Sequence, residues 1–327
     1  SGITSNPTIF QKAISSSDLY DSDIKHLIDQ GENNSKHIYI NLVIKDIQDA
    51  ADLLKPVYIN SDKKDGFVSI EVNPFLAFNS QDSIEEGIEL FSKISRPNVM
   101  IKIPGTEEGM IAITSLISKG INVNVTLLFS RNMYKKAAES YIKGLKLRQN
   151  NGFRDLNRIS SVASFFISRI DTEVDKSLPN KSTIKGKIGI SNAKLAYQDF
   201  QKIFSSSEFI QLSKLGANVQ RPLWASTSVK DISYSDVMYV ENLIGKNTVN
   251  TLPLETISAS LDHGKAKNTL EIDVQESLIL INSLNNHNVN LDGITSNLLK
   301  DGIALFENSY KSLINGLEDK IFADNKR

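Results

Sequence analysis

The chain has 327 residues, 40% of them hydrophobic and 23% charged, which supports a sizeable buried core and excludes wholesale disorder. Its 37 Lys and Arg nearly balance 38 Asp and Glu, a formal net charge of -1, so no broad field selects nucleic acid or an anionic membrane as partner. Cysteine is absent, which excludes disulfides, a thiolate nucleophile and Cys-based zinc sites and fits a cytoplasmic location. No apolar run nears the roughly 18 residues of a membrane span, and the first ten residues lack the pattern of a signal peptide.

Short apolar runs alternate with helical patterns from the start. Strands are expected at Gly2–Thr4, Phe67–Val72, Val99–Ile103, Val123–Phe129, Ser160–Phe166, Leu223–Ser226 and Thr248–Thr251. After the second, Asp82 and Glu85 have capping-box spacing, and Ile84, Ile88 and Phe91 would form the buried face. Ser130 can cap the next long helix, with Tyr134, Ala138, Tyr141 and Leu145 as its buried stripe. Later helices are expected over 192–204, 207–215, 234–244, 273–285 and 296–321. Repeated strand–helix units mean parallel strands, and their number favours a single-domain (β/α)8 TIM barrel spanning 1–327. A doubly wound sheet would carry a glycine-rich phosphate turn, and no such motif occurs. Seven strands are found where a closed barrel needs eight, so the first strand is expected upstream of Gly2. GITSN occurs at Gly2–Asn6 and again at Gly293–Asn297; the second runs into a helical pattern, so the two are expected to differ in role.

A barrel gathers its chemistry at the C-terminal ends of its strands. The polar residues there are Thr4, Asn6, Glu71, Lys102, Asn124, Thr126, Ser164, Arg169, Ser226 and, just beyond, Lys230. Lys102 stands inside Val-Met-Ile-Lys-Ile-Pro. Burial disfavours an ammonium, and the neutral amine is the nucleophile that a Schiff base requires. Glu71, within Val-Ser-Ile-Glu-Val, could relay protons beside it. A structural ion pair between the two explains the same residues. Asn124 and Thr126, two apart on one strand, point to one side and need partners, either in a core network or in a substrate. Ser164, Arg169, Ser226 and Lys230 suit a phosphate, although Asp171 and Asp231 offer Arg169 and Lys230 local partners. Arg221 and Trp224 read as structural. His26, His37, His263 and His287 have no metal-ligand spacing, and the Asn33, Asn124 and Asn180 sequons read as accidental.

Several blocks together resemble the transaldolase family. SGITSNPTIF is similar to its N-terminal signature and NVMIKIPGTEEG to the segment of its Schiff-base lysine. GINVNVTLLFS, SSVASFFISRIDTEVD, QRPLWASTSVKD and NTVNTLP follow in the family's order, and QRPLWAST points to the longer bacterial members. The resemblance implies a class I aldolase barrel with no metal or organic cofactor, acting on sugar phosphates as a monomer or homodimer. It implies a Schiff base on Lys102, proton relay by Glu71 and a water held by Thr126. Thr4, Asn6 and Asn124 would bind substrate, and Ser164, Arg169 and Ser226, with Lys230 more loosely, would bind phosphate. The family also carries a catalytic aspartate on a strand upstream of GITSNP. Its counterpart would precede Ser1, in a longer protein of which this chain is a fragment. An aldolase releasing free dihydroxyacetone and a catalytically silent barrel are the alternative readings.

Overall fold

The computed structural model describes residues 2–15 and 17–324, so Ser1 of the N-terminal signature lies outside the described residues. Seven strands form one sheet in chain order: β1 (Gly2–Thr4), β2 (Phe67–Glu71), β3 (Val99–Pro104), β4 (Asn122–Leu128), β5 (Ser161–Phe166), β6 (Gln220–Ala225) and β7 (Val249–Asn250). Every neighbouring pair is parallel. Parallel pairing requires a crossover between strands, and helices supply each one. The result is an α/β barrel architecture of the (β/α)8 type, its seven strands curled into a half-barrel. β1 and β7 are the sheet's edges. Their neighbouring threonines, Thr4 and Thr251, approach to 3.1 Å through their Oγ1 atoms, and a cavity of about 620 Å³ lies between the two strands.

Strands β3 and β4 are buried at every position. Their inward and outward faces are both covered, hence the continuous apolar runs in place of alternation. The outer layer packs on helices, of which Arg131–Asn150 carries the stripe expected of it. Tyr134, Ala138, Tyr141 and Leu145 are all buried, and Ser130 Oγ accepts from Met133 N at 3.1 Å. Trp224 is core, its indole N–H donating to Leu243 O at 2.9 Å. At the far end of β6, Arg221 donates to Lys64 O.

The helix after β2 differs from its expectation. It spans Ser80–Ile94, and the cap is Asn79, whose Oδ1 accepts from Asp82 N at 3.1 Å. Its fully buried face is Ser83, Gly87, Leu90 and Ile94; of the expected stripe, Ile84 and Phe91 are partly buried against the core and Ile88 is exposed. The helix is closely packed at Gly87, where a Cβ would lie 3.1 Å from Leu116 of the next helix and 3.4 Å from Ile101 of β3. The 234–244 segment contains a single short helix, Met238–Glu241, and the C-terminal helix is longer than expected, Leu291–Asp324. Gly293–Asn297 lies inside it, so the second GITSN is helical and the first is strand and turn.

The two helices that cover β4 meet through Gly144 of Arg131–Asn150. A Cβ there would sit 2.7 Å from Ile117 Cβ and 2.8 Å from Thr114 O of the helix Glu107–Ser118. Gly144→Ala raises intrinsic helix propensity, yet is expected to destabilise the protein by about 1–3 kcal/mol through overpacking. A higher midpoint in denaturant titration than wild type would contradict this close contact.

Candidate active site

Register brings the site together. Glu71 on β2 pairs with Lys102 on β3, and Lys102 pairs with Asn124 on β4. These residues stand side by side at one level of the sheet. Lys102 is 6% exposed. Its Nζ lies 2.8 Å from Glu71 Oε1 and donates to Ser5 O at 2.9 Å. Glu71 Oε2 has no hydrogen-bond partner among the described residues. Burial pushes the Glu71 carboxyl above its usual range, and the neighbouring ammonium opposes that shift without cancelling it. Such a pair can host an amine nucleophile and a proton carrier in one dry space.

Asn124 is fully buried. Its Nδ2 donates to Ser69 Oγ at 3.0 Å, and its Oδ1 accepts from Ser164 Oγ at 2.7 Å. Strands β2, β4 and β5 thereby share one polar layer beside Lys102. Thr126 is two residues on, also buried, and its Oγ1 has no hydrogen-bond partner among the described residues. The β4–β5 register shifts between Val125 and Leu128, and Leu127 takes φ 58. A non-glycine residue in the left-handed region is strained, and bulges of this kind re-aim side chains beside active sites. A cavity of about 10 Å³ lies between Glu71, Thr126, Pro104, Ile303 and Phe306. That is about the space of one water molecule.

The remaining polar residues lie around this centre. Asn6 Oδ1 accepts from Ile9 N at 2.9 Å, capping the helix Pro7–Ser15, so its carbonyl is occupied while its amide nitrogen donates to none of the described residues. Thr4 faces Thr251 as described above. Arg169 is in the first turn of the helix Ser168–Ser177, with its guanidinium over the Phe166 ring at 5.6 Å. It makes no ion pair among the described residues, and Asp171 instead accepts from Gly189 N and Tyr239 OH. Burial lowers the Arg169 pKa. Ser226 takes φ 54 just after β6, and its Oγ lies 2.9 Å from Ser168 Oγ. Arg169 and Ser226 thus occupy adjoining strand ends. Lys230 is exposed and donates to Ser228 Oγ; no hydrogen bond or ion pair among the described residues links it to Arg169 or Ser226.

Ser5, Ser69, Ser168 and Thr251 join the site without having been singled out in the sequence. Each lies on or beside a strand end already identified, and serines in GITSN and Val-Ser-Ile-Glu at the inward phase of the strand are the available signal. Among the described residues, no three of His, Asp and Glu gather as a metal site would require. No helix of the described residues is long and apolar enough to cross a membrane.

The family model described as transaldolase/fructose-6-phosphate aldolase matches residues 1–317. The chain is 47% identical to a protein named transaldolase 2 from Nostoc punctiforme, over 98% of this chain and 88% of that one. It is 46% identical to a transaldolase of Trichodesmium erythraeum, with the same shares covered. It is 41% identical to a transaldolase 2 of Streptomyces avermitilis, covering 98% and 87%. With the match running through every strand of the barrel and across the buried Lys102–Glu71 pair, this chain belongs to the transaldolase/fructose-6-phosphate aldolase family.

Proposed function

We propose that this chain is a transaldolase of the non-oxidative pentose phosphate pathway, acting in the cytoplasm as one barrel domain over 1–327. Its donor is a ketose phosphate, sedoheptulose 7-phosphate or fructose 6-phosphate. Its acceptor is an aldose phosphate, glyceraldehyde 3-phosphate or erythrose 4-phosphate. The unit moved is dihydroxyacetone, carried as a Schiff base on Lys102. The family and the relatives named transaldolase make the protein a transferase enzyme. The observation that carries the finer reading is a 6% exposed lysine with a buried carboxylate at 2.8 Å.

In this mechanism, neutral Lys102 Nζ attacks the donor ketone to give a carbinolamine. The Glu71 carboxyl protonates the hydroxyl, which leaves as water, and the nitrogen lone pair completes the iminium. The orphaned Thr126 hydroxyl and the one-water space beside Glu71 suit a water held for this step and its reverse. The iminium accepts the C3–C4 electron pair as the C4 hydroxyl gives its proton to a base, which the family resemblance assigns to an aspartate upstream of Gly2. The enamine then attacks the acceptor aldehyde. Asn124, Thr4 and Asn6 orient the sugar hydroxyls. Arg169, with no ion pair among the described residues and beside Ser226, supports a phosphate at the adjoining strand ends, with Ser164 below and Lys230 adding charge from the loop.

The second reading is an aldolase that releases free dihydroxyacetone, kept in view by the breadth of the family's description. Borohydride reduction in the presence of fructose 6-phosphate is expected to leave a stable adduct on Lys102, found by peptide mass analysis. Absence of an adduct would remove the Schiff-base mechanism, and free dihydroxyacetone in place of transferred product would select the aldolase. Glu71→Gln is expected to lower kcat by about 10²–10⁴ with the adduct forming slowly; unchanged kcat would refute its proton role. Arg169→Ala is expected to raise KM for phosphorylated acceptors and to spare glyceraldehyde. Equal loss with both acceptors would refute a phosphate contact.

A further inference from the structure

Behind Glu71, on the side turned toward the helices, lies a second cavity of about 220 Å³. It is lined by Ser5, Asn6 and Glu71, by Tyr39, by Glu86 and by Tyr310, and it reaches the exposed Lys36 and His37. The polar ends around it are largely unused. Glu71 Oε2, Glu86 Oε1 and the hydroxyls of Tyr39 and Tyr310 make no hydrogen bond to the described residues, while Glu86 Oε2 accepts from Asn73 N at 3.0 Å. A polar cavity of this size, with several free donors and acceptors, has room and partners for several waters. Edge-on packing of Tyr39 against Phe10 and Tyr310, at 6.3 and 5.4 Å between ring centres, fixes both hydroxyls in place.

The chemistry proposed for Lys102 needs such a route. A neutral amine and a ketone become an iminium and water only by taking up one proton, and hydrolysis of the iminium gives that proton back. A sugar joined to Lys102 would stand between this amine and the barrel mouth in both steps. We propose that the cavity behind Glu71 is a proton and water passage to solvent, with Glu86 as its relay between the Glu71 carboxyl and the rim at Lys36 and His37. After Glu71 has given its proton to the departing hydroxyl, its carboxylate takes one through the cavity waters from the Glu86 carboxyl. Glu86 then takes one from solvent. On hydrolysis each transfer reverses. Glu86 acts through Glu71 and is a positioning residue. The inference rests on the Schiff-base reading above.

The environment of Glu86 suits a relay near neutral pH. Burial raises its carboxyl to about 7, the Asn73 N–H opposes this and Glu89 on the same helix adds to it. The other titratable groups lining the cavity are Glu71 from β2, Lys36, His37 and Tyr39 from the helix Ser35–Asn60, and Tyr310 from the C-terminal helix. His37 is turned to Glu32, 3.2 Å away. The acid form of Glu86 is favoured by folding, so its contribution to stability is present below the ordinary carboxylate range and is lost as pH rises to about 7.

Glu86→Gln keeps an acceptor for Asn73 N and removes the exchangeable proton. It is expected to fold, with a Tm above wild type at pH 8 and equal to it at pH 4. Timed borohydride trapping on Lys102, between pH 6 and 8, is expected to be about tenfold slower than wild type and to lose its pH dependence around 7. KM should be unchanged. Tyr39→Phe, which keeps the ring and deletes the hydroxyl, is expected to slow trapping without changing the pH profile's midpoint. Wild-type rates and profile in both variants would overturn the passage while leaving the Schiff base intact. Absence of any adduct in wild type would overturn the Schiff base itself, and the passage with it.

Discussion

Two opposite charges facing each other inside an apolar sheet set the terms for everything around them. Lys102 and Glu71 are each almost fully enclosed, and removing two charges from water costs several kcal/mol per ion before their attraction repays any of it. The sheet repays part through register: parallel pairing of Glu71 with Lys102 holds the two side chains on one face without a flexible linker. The Ser5 carbonyl repays more, and ties the turn after β1 to β3. A replacement pair of leucines would satisfy the same space at lower electrostatic cost. What they would lack is an amine and a carboxyl in contact, the two groups that the proposed chemistry uses.

Around that pair the interior is polar by design of the strands, not by accident of loops. Ser69, Asn124 and Ser164 bond in series across β2, β4 and β5, so the layer is internally satisfied and rigid. Thr126 breaks the rule, buried and unpartnered where β4 bulges and Leu127 takes a left-handed conformation. A hydrogen-bonded layer and an unpartnered hydroxyl thus lie within two residues of each other on one strand. Ser226, also left-handed, marks the corresponding point at the end of β6 beside Arg169. Left-handed residues thus stand at this rim on both β4 and β6, beside the unpartnered Thr126.

The strands were legible because burial on both faces leaves contiguous apolar runs, and polar exceptions inside such runs stand out. Lys102, Glu71 and Asn124 were found that way, and the seven-strand count agrees with the sheet. Helix rotation was less legible. The cap expected at Asp82 is Asn79, and the fully buried face is Ser83, Gly87, Leu90 and Ile94, with Ile84 and Phe91 partly buried against the core and Ile88 exposed. Hydrophobicity alone favours the isoleucines; close approach at Gly87 favours the smaller face, and packing distance is not written in the sequence. Lys230 shows a similar limit, since a loop residue's number fixes neither its direction nor its partner. Glu86 and Tyr310 are more than two hundred residues apart and share one cavity only through the fold.

The C-terminal helix joins these features. Ile303, Phe306 and Tyr310 recur on one face of Leu291–Asp324 and are all largely buried. Ile303 and Phe306 close the one-water space between Glu71 and Thr126, and one turn later Tyr310 lines the larger polar cavity behind Glu71. A single helical stripe thus changes from apolar to polar as it passes the carboxylate. In the proposed reaction a water leaves as the Schiff base forms and one enters as it is hydrolysed, and water must be kept from the enamine between the two steps. Apolar side chains over the reacting end and hydroxyls on the far side meet both needs at once. Removal of bulk at Phe306 and removal of polarity at Tyr310 therefore act on opposite halves of that requirement, although the two residues are neighbours on one helix.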